Sequence, residues 1–124
     1  MSEFSGIKVL VVEDEGLIAM MIEDMLLELG CQVVASVAEL NEARRVAATV
    51  QIDLAVLDVN LGGERSFPIA RILRERNLPF LFSTGYGADG FPSEFSEYAV
   101  LNKPFSAEAL KQTIVLALAA SHRT

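Results

Sequence analysis

Residues 7–13 read IKVLVVE, an almost unbroken run of aliphatic side chains closed by an acid. A strand with one wet face alternates apolar and polar residues. A continuous run is what a strand covered on both faces requires. Working outward, residues 15–29 change period: Ile18, Met21, Ile22, Met25, Leu26 and Leu29 recur at helical spacing, and Gly30 supplies the stop. The alternation then repeats. QVVAS (32–36) reads as a strand, and 39–49 as a helix with Leu40, Ala43, Val46 and Ala47 on one face. DLAVLD (53–58) is a third buried strand, followed by a glycine-rich loop at Gly62 and Gly63. A helix is predicted over 66–76, with Pro68 tolerated in its first turn. LPFLFST (78–84) is the fourth strand, 98–102 a short fifth, and the last helix runs from the N-cap Ser106 to about Ala120.

Strands alternating with helices imply an α/β chain whose parallel sheet is covered on both faces. The expected architecture is a flavodoxin-like (βα)5 three-layer sandwich with five strands in the order 2-1-3-4-5. Gly85, Gly87, Gly90 and Pro92 crowd the stretch before the fifth strand, so the fourth helix is expected to be short or irregular.

The 124 residues suit a single domain over 1–124, and 52% hydrophobic content is enough for a core. No apolar run reaches the roughly eighteen residues of a membrane span. The opening MSEFSGIK lacks the pattern of a signal peptide, so a cytoplasmic location is expected. A net charge of −7, with basic residues scattered, argues against binding nucleic acid. Arg44–Arg45 and the group Arg71, Arg74 and Arg76 read as solvated helix faces. Cys31 alone makes neither a disulfide nor a zinc site and reads as a packed small hydrophobe.

In such a sheet, functional groups gather at the carboxyl ends of the strands. Those ends hold Glu13 and Asp14; Asp58, with Asn60 two residues on; Ser83, Thr84 and Gly85; and Lys103 with Pro104. Three carboxylates in one cleft repel, which raises the pKa of at least one unless a cation neutralises them. An all-oxygen site with few protein ligands suits Mg2+, or Mn2+ in its place. Lys103 adds a fixed positive charge, the Thr84 hydroxyl is a donor for a phosphoryl oxygen, and an Asp carboxylate is a competent nucleophile toward phosphorus. Singly, each residue has an ordinary explanation. Asp14 or Asp58 can cap the segment that follows, Thr-Gly is a common turn, and Lys-Pro is a common loop pair. Their joint placement at four strand ends points to phosphoryl chemistry.

VLVVEDE (9–15), LAVLDVNL (54–61), FLFSTGYG (80–87) and LNKPF (101–105) together resemble the receiver domains of bacterial response regulators. The resemblance covers nearly the whole chain. It implies that Asp58 is the phosphoacceptor and that Glu13, Asp14 and Asp58 hold the divalent cation with the backbone carbonyl of Asn60. It implies that Thr84 is the switch hydroxyl, that Lys103 contacts the phosphoryl group, and that a cis peptide precedes Pro104. The donor is then a sensor histidine kinase or a histidine phosphotransfer protein. The domain would catalyse only its own phosphorylation and dephosphorylation, and would act on an unknown downstream protein through protein contacts, with neither nucleic acid nor membrane as partner. Met1 and the length favour a stand-alone domain.

The match departs from the family pattern at Val100, where an aromatic residue is usual, and in the loop NLGGERSFP (60–68). With FSTGYG, these features resemble the subgroup nicknamed FAT GUY, with Ser83 in place of its alanine. Tyr86, two residues past Thr84, is placed to shield the phosphoryl group or to replace the missing aromatic, or else simply packs on the neighbouring loop. Leu17 and Met20 share a helix face outside the core stripe, where they form either a docking surface for the kinase or ordinary exposed apolar residues. His122 near the chain end is a tail residue, not a phosphohistidine carrier. Two other readings stand beside this one. A flavin-binding protein of the same winding would want a hydroxyl-rich loop in place of Glu13-Asp14-Glu15, and a pure interaction module would have lost the acceptor chemistry.

Overall fold

The computed structural model describes residues 4–85 and 91–120. Among these described residues, seven strands and four helices follow in chain order: β1 (Lys8–Val12), α1 (Gly16–Glu28), β2 (Gln32–Val37), α2 (Leu40–Thr49), β3 (Leu54–Asp58), β4 (Asn60–Leu61), β5 (Glu64–Arg65), α3 (Phe67–Glu75), β6 (Phe80–Thr84), β7 (Val100–Asn102) and α4 (Ala107–Ala120). Five of the strands form one sheet in the order β2-β1-β3-β6-β7, with every pairing parallel. This is the expected 2-1-3-4-5 winding, with the numbers displaced by the small β4–β5 hairpin.

Side chains alternate between two core layers, as the strand period demands. Leu10, Val12, Ala55, Leu57, Phe80 and Phe82 face the layer that also contains Ala43, Ala47, Ile69 and Leu73 of α2 and α3. Val9, Val11, Leu54, Val56 and Leu81 face the opposite layer, with Ile22 and Leu26 of α1 and Leu110 and Ile114 of α4. The central strands are buried along almost their whole length, which explains their unbroken apolar reading.

Four details differ from the sequence expectations. The glycine-rich loop after β3 is an antiparallel hairpin, β4 on β5, whose two-residue turn is Gly62 (φ 59°) and Gly63 (φ 94°). Positive φ at both turn positions is what a tight hairpin requires, and glycine takes it without strain. Met21 is at the surface, and Ala19 joins Ile22 and Leu26 in the core instead. β6 begins two residues later than expected because the Leu78 N–H donates back to the Leu73 carbonyl (3.0 Å), behind Asn77 at φ 59°, and so caps α3. β7 likewise begins at Val100 because the Tyr98 N–H is used by the Phe95 carbonyl (3.1 Å) at the end of a 3-10 turn, Ser93–Phe95. That turn is the helical structure described between β6 and β7; residues 86–90 of the expected irregular helix lie outside the described residues.

The arginines of α3 are more than a solvated face. Arg71 and Arg74 both pair with Glu94 at 3.0 Å, and both guanidinium groups lie over the Phe95 ring. Arg76 donates to the carbonyls of Ala47 and Val50, tying α3 to the end of α2. Cys31 is buried, as expected, and that burial pushes its thiol pKa up.

Candidate functional site

Strand register builds the site. Val12 is level with Leu57, and Asp58 with Ser83. Ser83 is in turn level with Leu101, and Thr84 with Asn102. Glu13, one residue past β1, therefore meets Asp58 at the end of β3, and Lys103 leaves the end of β7 two strands away. Each of these strands stops there because its next residues turn into a loop or a helix cap, which leaves the polar side chains at a common edge.

Carboxylate oxygens of Glu13, Asp14 and Asp58 all lie within 4.8 Å of one another. Glu13 and Asp58 are buried, and Asp14 is exposed at the mouth. Lys103 Nζ donates to Glu13 Oε1 at 2.8 Å and lies 3.4 Å from Asp58 Oδ2. The Glu15 N–H donates to Glu13 Oε2 (3.1 Å), and the Asn60 N–H to Asp58 Oδ1 (3.3 Å). The hairpin closes over the acids from outside: the Gly62 N–H donates to Asp14 Oδ2 at 2.9 Å, and the Gly63 N–H to the Asn60 side-chain oxygen at 2.8 Å.

The electrostatics follow from burial and like charge. Desolvation, then Glu13 beside it, pushes the Asp58 carboxyl up to about 7, against the opposing pull of Lys103. Burial also pushes Asp14 upward, but hydrogen bonding to Asp58 and to the Gly62 N–H outweighs it and holds Asp14 below the ordinary carboxylate range. Burial pushes Lys103 down, but its bond to Glu13 and the charges of Asp58 and Glu13 outweigh that, so its pKa is raised and it stays protonated. A cleft with three acid groups, one of them forced toward neutrality, and one lysine is short of positive charge. Its oxygen-only donor set fits a small hard divalent cation.

Most of the residues singled out in the sequence come together here. Glu13, Asp14, Asp58 and Lys103 touch or nearly touch, and Thr84 is buried at the end of β6. Asn60 is on the hairpin strand next to Asp58, exposed. The Lys103–Pro104 peptide is cis. Leu17 and Met20 are 84% and 60% exposed and border a shallow groove that starts at Glu13 and Asp14 and extends to Ser36 and Ala38. Tyr86 and His122 lie outside the described residues. Val100 is half-buried beside Phe82. The aromatic rings of this region are instead Phe67, Phe80, Phe82, Phe91, Phe95 and Tyr98, which pack on one another, Tyr98 flat on Phe80 at 4.5 Å. The sequence reading missed the two glycine N–H donors. Their signal was the Gly-Gly pair itself, a two-residue hairpin turn between short flanks.

A family model, the response regulator receiver domain, matches residues 9–115. The transcriptional regulatory protein YvrH of Bacillus subtilis is 33% identical over 104 residues, which cover 79% of this chain and 43% of that protein. The chain thus spans less than half the length of such a curated relative. The solution structure of SdrG from Sphingomonas melonis Fr1 is 44% identical, covers 98% of both chains and superposes with a TM-score of 0.74. The receiver domain of the sensor histidine kinase PA1611 from Pseudomonas aeruginosa PAO1, solved with a magnesium ion in its active-site cleft, is 25% identical with a TM-score of 0.79, covering 93% of this chain and 99% of that one.

Proposed function

The chain belongs to the receiver-domain family of response regulators, a signalling family, and from that premise we propose that Asp58 accepts a phosphoryl group from a phosphohistidine of a sensor kinase or phosphotransfer protein. The observation that carries the reading is the arrangement around Asp58: a buried carboxylate with Lys103 on one side and two further acids on the other.

An Asp58 carboxylate oxygen attacks phosphorus in line, the P–N bond to the donor imidazole breaks, and its electron pair returns to the ring, which takes up a proton. Lys103 stays charged and meets the phosphoryl oxygens as the Asp58 charge is spent in the acyl phosphate. The Thr84 hydroxyl, at the end of the next strand, donates to another of those oxygens. Glu13, Asp14 and Asp58, with the Asn60 carbonyl, would hold Mg2+ or Mn2+. When bound, such an ion would supply the positive charge that the cleft lacks. Tyr86, two residues beyond Thr84, is assigned either to screening the acyl phosphate from water or to replacing the aromatic residue missing at Val100. The output passes to a downstream protein by contact, from a receiver domain of the FAT GUY kind in the cytoplasm. Among the described residues, no helix is long and apolar enough to cross a membrane.

Leu17 and Met20 are assigned to docking the donor, since their exposed side chains border the groove that opens on Asp14. The test compares two donors. With a phosphorylated kinase and Mg2+, the wild type is labelled and Asp58→Ala is not. Leu17→Glu slows transfer from the kinase by about tenfold, the weight of one docking contact, but leaves labelling by acetyl phosphate unchanged. Equal labelling of Asp58→Ala and wild type would remove the acceptor assignment, and an unaltered kinase rate in Leu17→Glu would remove the docking one.

A further inference from the structure

Among the described residues, two buried side-chain hydroxyls, Ser66 and Ser83, have no hydrogen-bond partner. Buried polar groups are otherwise nearly always matched, so each such exception needs a reason. Ser66 stands at the start of α3, one residue past the β4–β5 hairpin, and its N–H donates to the Val59 carbonyl. Ser83 stands next to Asp58.

Its place follows from register and alternation. Ser83 is the direct neighbour of Asp58 on β3 and of Leu101 on β7, and it is wholly buried. Leu81 and Val56, two residues before Ser83 and Asp58 respectively, belong to the core layer under α1 and α4. Residues two apart on a strand share a face, so Ser83 and Asp58 rise side by side from that same face. Lys103, two residues past Leu101, leaves the end of β7 and reaches Asp58 and Glu13 at the ends of β3 and β1. In the order β1-β3-β6-β7, its side chain has to cross the end of β6 to do so. What it crosses there is the Ser83–Gly85 end of that strand, where the short serine and the bare glycine leave it room.

We infer that Ser83 is a positioning residue for phosphoryl acceptance: its hydroxyl accepts a hydrogen bond from the Lys103 ammonium as that group turns from Glu13 toward the incoming phosphoryl oxygens. The ammonium has three N–H donors. Without a phosphoryl group it is directed at Glu13 Oε1 and Asp58 Oδ2. When the phosphoryl group arrives, one donor goes to it and the Asp58 charge is consumed in the new bond. A donor freed in this part-buried cleft then needs another acceptor, and the idle hydroxyl on the strand beneath supplies it by rotation about a single C–O bond. The hydroxyl is therefore unmatched in the resting protein because its partner arrives with the reaction. This deepens the proposed role of Asp58 and rests on it.

The test uses Ser83→Ala and Ser83→Cys, the second keeping nearly the same volume. Three quantities are measured on each: the rate of labelling by acetyl phosphate with Mg2+, the thermal midpoint of the unphosphorylated protein, and the NMR signal of the Lys103 ammonium before and after addition of beryllofluoride. The expected result is labelling slowed by about tenfold, the weight of one hydrogen bond to a charged group, and loss of the beryllofluoride-induced shift of the ammonium signal. The midpoint stays level or rises, because the hydroxyl makes no bond in the resting protein. A residue with only a structural role would lower rate and midpoint together, and that outcome overturns the inference, as does an unchanged rate in both variants. Asp58→Asn, run alongside, separates the two claims. If it is inert while Ser83→Ala labels normally, the Ser83 role alone fails; if Asp58→Asn labels like wild type, the acceptor reading fails and takes the Ser83 role with it.

Discussion

Asp58 is held where its own charge is disfavoured, and that has a measurable cost. Burial and Glu13 push its carboxyl up to about 7 in the folded chain, well above an unfolded aspartate. Between those two values the folded state binds a proton that the unfolded state has lost. Stability therefore falls as pH rises through that window, and the loss is complete above the folded value. Asp58→Asn removes the ionising group. It is expected to stabilise the protein at pH 8 by on the order of 2 kcal/mol, and to bring almost no gain at pH 4, where the wild-type carboxyl is protonated. Urea titrations at the two pH values check this; an equal gain at both would show that charge is not the cause. Lys103→Met has the opposite sign at neutral pH. It leaves buried Glu13 and Asp58 without their cation and should cost about 3 kcal/mol. Added Mg2+ should then raise the thermal midpoint by more than it does in wild type, and a smaller rise would argue that Lys103 is not the neutralising charge.

At the scale of elements, the stretch between β6 and β7 is pinned from α3. Glu94 is bridged by Arg71 and Arg74, and Phe95 is fully buried among Phe67, Phe80 and Phe82. The ion pairs are exposed and the ring is not, so the ring dominates. Phe95→Ala is expected to cost about 3–5 kcal/mol, and Glu94→Gln much less, in chemical denaturation. A larger loss from Glu94→Gln than from Phe95→Ala would reverse the ranking.

What the sequence disclosed at this scale divides by cause. Strands buried on both faces announce themselves, because every residue of Val9–Val12 and of Leu54–Leu57 has to be apolar, and their ends then locate Glu13 and Asp58. The β4–β5 hairpin was invisible to hydrophobic periodicity because each strand is two residues long; Gly62 and Gly63 were its trace. Met21 was misplaced because apolar spacing alone gives a stripe wider than the buried one, which consists of Ala19, Ile22 and Leu26. The ties of Arg76 to Ala47 and Val50 depend on how α3 sits beside α2, which local sequence does not encode.

For the whole molecule, the winding matters more than any single element. It brings four separate stretches, which span most of the chain, to one edge, so that Lys103 reaches Glu13 across 90 residues of sequence. Cation binding should therefore stabilise the domain globally and not just locally. Mg2+ should raise the thermal midpoint of wild type, and Asp14→Asn should abolish the rise while leaving the fold intact; a persistent rise would place the ion elsewhere. The same convergence makes Asp58 the point on which the account depends. The most direct measurement is intact mass, followed by peptide mapping, after incubation with acetyl phosphate and Mg2+. Wild type is expected to gain one phosphoryl group, located at Asp58, and Asp58→Asn none. A phosphoryl group mapped to any other residue of the wild type, or an equal gain in Asp58→Asn, would contradict it.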